Sequence, residues 1–282
     1  MDAFLGKVRQ RFDPKPRVQV LSDLHLEVGQ QYSMFDFPAS APFLLLAGDI
    51  GRLIDYDAYR GFLEAQVARY KTVFLVLGNH EFYGLDYQSG LDAARRLAEE
   101  PSLADRLVLL HRARWDDPDS ALTVLGCTLW SAIQEDAYGI VEAKIKDYQN
   151  IDHWTARQHS AIHAEEAAWL REQVGQVQAA TPKRRLLIAT HHAPCIEGTS
   201  RPEHGSSPWT SAFATDLVDH GGWEGVKTWV FGHTHYSAQF VRRGIRLVSN
   251  QRGYVLPGAN MGQKAGKKEE GHEFDAALVV VV

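Results

Sequence analysis

The sequence predicts an α/β fold in which mixed β-sheets pack against α-helices. Short apolar runs of strand length recur along the 282 residues, and helical stretches separate several of them. The carboxyl-terminal part is rich in strands, which favours mixed over purely parallel sheets. Hydrophobic residues make up 45% of the chain, enough for a large core, so a single domain over residues 1–282 is the simplest organisation.

The first part of the chain is predicted to form strands and two helices. The strands are the apolar runs 18–21, 43–47, 73–77, 108–110 and 122–125. The first helix lies within 59–70, where Tyr, Phe, Leu and Val residues recur at helical spacing. The second helix covers 87–100 and is stopped by Pro101.

The second part begins with residues 130–154, which lack clear periodicity and are interpreted as a lid-like insertion. A long helix is predicted over 155–178, because its apolar residues fall on one side. Its His159 and His163 are interpreted as a polar face, with a metal pair as the alternative. The later strands are expected at 186–189, 229–231, 238–241, 245–248 and 276–282. Two polar segments rich in glycine, 195–209 and 258–272, are expected to be flexible.

Five short polar motifs follow apolar runs, in one order along the chain. They are SDLHLE (22–27), AGDIG (47–51), GNHEF (78–82), THHAP (190–194) and FGHTH (231–235). Ligands bind beyond the carboxyl ends of strands in α/β sheets, so these loops are expected to converge. Their mixed Asp, Asn and His side chains favour manganese, iron or zinc over calcium, and they suffice for two ions.

This ordered set resembles the calcineurin-like metallophosphoesterase superfamily, whose pattern is Asp-x-His, Gly-Asp, Gly-Asn-His-Glu/Asp, a lone His and Gly-His-x-His. The resemblance runs from about residue 18 to residue 235. It implies a four-layer sandwich, in which two mixed β-sheets are flanked by α-helices. It also implies two divalent or trivalent transition metal ions, with manganese expected first and iron or zinc as alternatives.

The resemblance assigns metal ligands residue by residue. One metal would be held by Asp23, His25, Asp49 and His235, and the other by Asp49, Asn79, His191 and His233. Asp49 is the candidate bridge, because a carboxylate has two oxygens. His191 is preferred over His192, because it ends the strand as the family's lone His does.

Other residues are expected to act on the substrate without binding a metal. His80 is the expected general acid or donor to the phosphoryl oxygen, and the alternative is a role in orienting the Asn79 loop. His192 is expected to face the pocket or to pack nearby. Trp130 and Tyr148 are expected to border the substrate, although aromatic residues on such a connection can also form its own core.

The implied activity is phosphate-ester hydrolysis, in which two metals activate water and stabilise the phosphoryl oxygens. Small phosphodiesters are the expected substrates, with phosphomonoesterase side activity. A phosphomonoesterase or a Ser/Thr protein phosphatase is the alternative, but the protein phosphatase pattern has Asp where this chain has Arg52. A non-enzymatic module is disfavoured, because all seven ligand positions are intact.

Composition limits the partners. The 35 acidic and 30 basic residues give a net charge of −5, so a nuclease or another nucleic-acid partner is disfavoured. We see neither a signal-peptide pattern nor eighteen consecutive apolar residues, which predicts a soluble, cytoplasmic protein without a membrane partner. Cys127 and Cys195 are interpreted as small buried residues. The oligomeric state stays open.

Overall fold

Two β-sheets stack face to face in this computed structural model, which describes residues 15–181, 183–204, 207–256 and 273–282. The first sheet contains, in spatial order, β11 (Val279–Val281), β1 (Arg17–Leu21), β2 (Phe43–Ala47), β3 (Thr72–Val76) and β4 (Leu107–Leu109). The second contains β5 (Ala113–Asp116), β6 (Leu122–Cys127), β7 (Arg185–Thr190), β8 (Val226–Phe231), β10 (Ile245–Ser249) and β9 (Gln239–Arg242).

Both sheets are mixed, as the sequence predicts. Strands β1 to β4 run parallel, and β11 pairs antiparallel with β1. In the second sheet β6, β7, β8 and β10 are parallel, while β5 and β9 pair antiparallel at the two edges. The parallel strands of each sheet therefore carry their carboxyl ends to one edge, where ligands bind in α/β folds.

The three longest of the five α-helices in the described ranges pack on the outer faces of the sheets. These five helices are α1 (Tyr56–Val67), α2 (Tyr87–Glu99), α3 (Tyr138–Lys144), α4 (Asp147–Asn150) and α5 (Ala156–Ala179). The Asp86 side chain accepts a hydrogen bond from the Ser89 amide at the start of α2. At the start of α5 the Thr155 hydroxyl accepts one from the Gln158 amide. Such caps fix where a helix begins, because they satisfy amide groups that have no partner inside the helix.

Alternation along the buried strands builds the layers. In β2, Leu44 and Leu46 pack with α1 and α2, whereas Phe43 and Leu45 pack between the sheets. In β7, Leu186 and Ile188 pack with α5, while Leu187 and Ala189 belong to the cluster between the sheets. Successive strand side chains point to opposite faces, so each strand supplies two apolar layers. The result is the expected four-layer sandwich.

Two regions differ from the sequence prediction. The apolar runs 108–110 and 122–125 belong to different sheets, and β5, which was not predicted, precedes the second run. The insertion 130–154 contains α3 and α4 and has a small apolar core around Ile133 and Val141. The predicted flexible segment 258–272 lies outside the described residues. None of the helices in the described ranges is both long and apolar enough to cross a membrane.

Candidate metal centre

The five motifs converge at neighbouring strand ends. Asp23 and His25 follow β1, Asp49 follows β2, and Asn79 follows β3 in the first sheet. His191 follows β7, and the Gly-His-Thr-His turn follows β8 in the second sheet. The layers of the sandwich thus bring loops distant in sequence to one place, as expected from strand direction.

One cluster of donor atoms is formed by Asp23, His25, Asp49 and His235, whose ligand atoms all lie within 4.8 Å of one another. The Nε2 atoms of His25 and His235 are 2.8 Å apart. Asp49 Oδ2 lies 3.9 Å from His25 Nε2, and Asp23 Oδ1 lies 3.6 Å from His235 Nε2. This is the first ligand set that the resemblance implies.

A second cluster lies on the other side of Asp49. His191 Nε2 is 3.3 Å from Asp49 Oδ1 and 3.0 Å from Asn79 Oδ1. The His233 ring centroid is 5.0 Å from that of His191. His191 Nδ1 is 3.0 Å from the Ala47 carbonyl and can donate to it, which leaves Nε2 free to act as a ligand. Asp49 therefore offers one oxygen to each cluster.

The residues of both clusters fit a pair of metal ions. Asp23 Oδ2 is buried and has no hydrogen-bond partner among the described residues, as expected for an oxygen reserved for a cation. His25 Nδ1 lies 3.2 Å from Glu27, and donation to that carboxylate leaves the Nε2 lone pair facing the cluster. Two carboxylates, four imidazoles and an amide oxygen form a donor set suited to manganese, iron or zinc.

The ligand loops adopt strained backbone conformations. Asp23, His25, Asp49, His233 and His235 have φ between 47° and 73°, the left-handed region that residues other than glycine seldom adopt. Such strain is concentrated at functional sites, where the surrounding structure holds it in place. Here it turns these side chains from adjacent loops towards one centre.

Glu81 ties two of these loops together beneath the centre. Its buried carboxylate accepts hydrogen bonds from the amides of Asp49, Ile50 and Gly78, and from the Tyr59 hydroxyl. Burial and the nearby Asp49 carboxylate raise the pKa of Glu81 above its usual range, while His191 and the amide donors oppose that change. Removing the Glu81 carboxylate would leave several buried donors without partners, which would destabilise the folded protein.

Glu27 joins a ligand to the candidate acid. Its Oε1 is 3.2 Å from His25 Nδ1 and 2.9 Å from His80 Nδ1. Burial raises the pKa of Glu27, but the hydrogen bonds to His25 and His80 outweigh burial and lower it to about 2. Burial lowers the pKa of His80, while Asp49 and Glu27 raise it to about 9. The other ring nitrogen, Nε2, lies 3.0 Å from the Tyr254 hydroxyl in the cleft.

Asp147, in the insertion 130–154, holds the Asn79 amide in one orientation. Asn79 Nδ2 donates to Asp147 Oδ1 at 2.8 Å, which directs Asn79 Oδ1 towards His191. The Tyr83 hydroxyl donates to the same oxygen at 2.7 Å, and the Tyr83 ring stacks on His80 at a centroid distance of 4.1 Å. Burial raises the pKa of Asp147, and the donors from Tyr83 and Asn79 oppose that change.

His192, Trp130 and Tyr148 do not line the cleft, but His192 offers a ring nitrogen that lies within 4.8 Å of donor atoms of His191 and His233. His192 is fully buried, stacks on His233 at 4.0 Å, and has two ring nitrogens without hydrogen-bond partners among the described residues. Trp130 is also fully buried, so its ring cannot touch a substrate in this arrangement, which corrects the expectation that it borders one. The Tyr148 hydroxyl is directed to His159 Nδ1, 3.2 Å away.

The histidines of α5 are neither a polar face nor a metal pair. His159 and His163 are both buried. His159 Nε2 accepts a hydrogen bond from the Ser131 amide, and His163 Nδ1 is 2.8 Å from the Leu129 carbonyl. Burial lowers the pKa of both, to about 3 for His159, so they are neutral. They connect the helix to the loop after β6.

An open cleft of about 480 Å³ lies above the centre. Its floor includes Asp49, Asn79, His80, His233 and His235. The cleft is also lined by residues 144–147, by residues 200–201, 207, 209–210 and 213, and by Tyr254. The first two segments adjoin each other, since Ile145, Trp209 and Phe213 pack against one apolar cluster. The volume is in the range of small-molecule sites.

Sequence reasoning missed several of these residues. Glu27 and Glu81 lie inside the motifs, but their contacts with imidazole and amide groups cannot be predicted from the sequence. A carboxylate that accepts such hydrogen bonds stands at no characteristic distance along the chain from its donors. Asp147 and Tyr83 were also missed, since they reach Asn79 only through the fold.

A family model and the sequence of a viral protein both match this chain. A family model described as Calcineurin-like phosphoesterase matches residues 16–237. The Uncharacterized protein L509 of Acanthamoeba polyphaga mimivirus is 29% identical over 258 residues, covering 84% of this chain and 91% of the relative.

Two solved structures are also similar. Phosphopantetheinyl hydrolase PptH from Mycobacterium tuberculosis has a TM-score of 0.63 at 18% identity, covering 85% of this chain and 90% of that one. A dimetal phosphatase from Danio rerio has a TM-score of 0.49 at 14% identity, covering 85% and 88%. The first likeness shows a shared fold.

Proposed function

Because the chain belongs to the calcineurin-like phosphoesterase family, whose members are dinuclear metal-dependent hydrolases, we propose that this enzyme cleaves small phosphodiesters and has phosphomonoesterase side activity. The observation that supports this proposal is the complete set of donors around Asp49 at the floor of an open cleft.

The proposed ligands are Asp23, His25, Asp49 and His235 for one ion and Asp49, Asn79, His191 and His233 for the other. We propose a manganese pair, with iron or zinc as alternatives, because the donors mix oxygen and imidazole nitrogen without thiolate. When bound, the ions supply Lewis-acid activation of water and neutralise charge on the phosphoryl oxygens.

The remaining chemistry belongs to side chains that bind no metal. His80 holds a proton on Nε2 at the cleft surface, where it can be given to a departing alkoxide. Glu27 keeps the His80 ring oriented through Nδ1 and supports its protonated form. Asp147 keeps the oxygen of Asn79 directed to the centre.

The shape of the cleft supports a small diester. Two adjoining segments border the floor residues, namely 144–147 and the stretch after residue 200. A diester carries two organic groups, and this border offers contact surface for a second group that a monoester lacks. A volume of about 480 Å³ suits small esters better than a folded phosphoprotein.

The test compares bis(p-nitrophenyl) phosphate with p-nitrophenyl phosphate on the purified, manganese-loaded protein. The diester should have at least the kcat/KM of the monoester. Turnover of monoesters or phosphoproteins alone would show that the diester preference is wrong.

Metal content is measured on the same sample and on Asp49→Asn. This variant should lose activity and bind less metal at both sites, since a neutral amide cannot bridge two cations as a carboxylate does. Wild-type metal content and turnover in the variant would remove Asp49 from the bridging position.

A further inference from the structure

Two lysines stand on one wall of the cleft. Lys144 ends α3, and Lys146 directly precedes Asp147, whose carboxylate binds the candidate metal ligand Asn79. Both lysines line the cleft and are exposed. Since consecutive Cα atoms are about 3.8 Å apart, Lys146 is fixed close to the floor by its neighbour.

The charge of these lysines is not neutralised by the neighbouring acids. Within the described ranges, neither lysine makes an ion pair. Glu142, the acid that precedes them on α3, accepts a hydrogen bond from the Ala156 amide. Asp147 is buried and takes its donors from Asn79 and Tyr83. The wall therefore presents positive charge to whatever enters the cleft.

The segment that adjoins the lysines has a different character. Trp209 and Phe213 line it, and Phe213 packs against His233 at a centroid distance of 4.9 Å. Ser200 and Arg201 lie on the same side. An ester in the cleft would therefore find the two lysines beside a segment that contains two aromatic rings and polar side chains.

We propose that Lys144 and Lys146 form an anion subsite, which selects esters that carry a second anionic group, carboxylate or phosphate, besides the reacting phosphate. This inference rests on the proposed function. Lysine is a flexible point charge with three donors, so it suits either anion without demanding bidentate geometry.

The expected size of the preference is modest, because both lysines are exposed to water. An exposed ion pair changes an equilibrium by only a few-fold, so the two together should give about 3- to 10-fold. The preference should shrink as salt rises from low to physiological concentration and beyond. It should act on binding, and therefore on KM more than on kcat, because the lysines are not placed at the reacting atoms.

Equilibrium binding tests recognition apart from turnover. Phenylphosphonate and 4-carboxyphenylphosphonate differ by one carboxylate, and their C–P bond replaces the ester bond. Calorimetry on the manganese-loaded protein should show about 3- to 10-fold tighter binding of the carboxylated ligand at low salt. The double variant Lys144→Gln/Lys146→Gln should bind both ligands about equally. Lys227→Gln is the matched control, since Lys227 is an exposed lysine on β8 that does not line the cleft.

Kinetics on a matched pair of diesters completes the test. Phenyl p-nitrophenyl phosphate and 4-carboxyphenyl p-nitrophenyl phosphate share one chromogenic leaving group. If neither is cleaved while the phosphonate preference holds, the diesterase proposal fails and the anion subsite stands. Equal phosphonate affinities in the unmutated protein would overturn the subsite, and so would a preference that survives in the double variant.

Discussion

A methyl group at Gly78 is expected to damage the proposed metal centre without replacing any of its ligands, because it would collide with two of them. Gly78 precedes Asn79 at the end of β3. A Cβ atom there would lie 2.2 Å from Asp49 Oδ1 and 2.7 Å from His191 Nε2, whereas real Cβ contacts stay above 3.0 Å. The Asp49 carboxylate, the proposed bridge, would have to move by roughly 1 Å, and a misplacement of that size can lower a rate about 10²-fold.

The assay measures metal per chain, kcat/KM on the aryl diester and thermal stability for Gly78→Ala. We expect less bound metal and at least about a 10²-fold loss of activity. Overpacking should also lower the free energy of unfolding by about 1–3 kcal/mol. Gly61→Ala is the control, because a Cβ at Gly61 would meet no atom within 4 Å. Alanine favours helix α1 by up to about 1 kcal/mol, so the control should be active and at least as stable. A Gly78→Ala protein with two metals per chain and normal turnover would refute this reasoning.

Three further predictions concern residues around the centre and in α5. His80→Ala should keep its metals and lose about 10²- to 10⁴-fold on alkyl esters, whose alkoxide needs a proton, but much less on p-nitrophenyl esters; equal losses on both would contradict the general-acid role. Asp147→Asn should weaken manganese binding about 10- to 100-fold in a metal titration, because Asn79 loses its fixed orientation, whereas Tyr83→Phe, which removes one donor, should have a smaller effect. Burial raises the pKa of Glu166 from 4.5 to about 8 in the folded state, so its contribution to stability is fully present below pH 4.5 and is lost as pH rises through about 8, by up to about 5 kcal/mol. Urea unfolding of Glu166→Gln at pH 6 and pH 9 should show a flatter pH dependence than the unmutated protein, and an unchanged slope would contradict the assignment.

Most of the fold could be predicted from local patterns, because buried strands are short apolar runs and the long helices have one apolar face. Helices α2 and α5 were placed within one residue at each end, since Pro101 and the Thr155 cap mark boundaries in the sequence itself. Strand β5 was missed, because Ala113–Asp116 is short, partly exposed and contains only two apolar residues. The division of β4 and β6 between two sheets was also hidden, because hydrogen-bonded partners leave no local signal.

The convergence of the candidate ligands could be predicted, because the motif residues follow strands in a recognisable order. The role of Trp130 was harder to predict, since an aromatic residue after a strand can line a cleft or fill a core. Its ring packs beside Trp154, His159 and His192, with no exposed surface. The pattern of the sequence is the same in both cases, and only the packing of α5 against the insertion decides between them.

The choice between His191 and His192 shows how buried partners determine chemistry. The two histidines are adjacent, and their rings lie at 80° to each other. His191 has the Ala47 carbonyl on one nitrogen and the Asp49 and Asn79 oxygens near the other, so its tautomer and direction are fixed. His192 also offers a nitrogen within 4.8 Å of donor atoms of His191 and His233, and its ring stacks on His233, but among the described residues no hydrogen bond fixes its tautomer. A histidine becomes a good ligand when its other ring nitrogen makes a hydrogen bond that fixes the ring. For His191 the partner is the carbonyl of Ala47, at the end of β2 in the opposite sheet. The orientation of His191 therefore depends on the packing of the two sheets against each other. Substitutions between the sheets, at Leu45 or Leu187, should disturb the proposed metal site by shifting the Ala47 carbonyl away from His191.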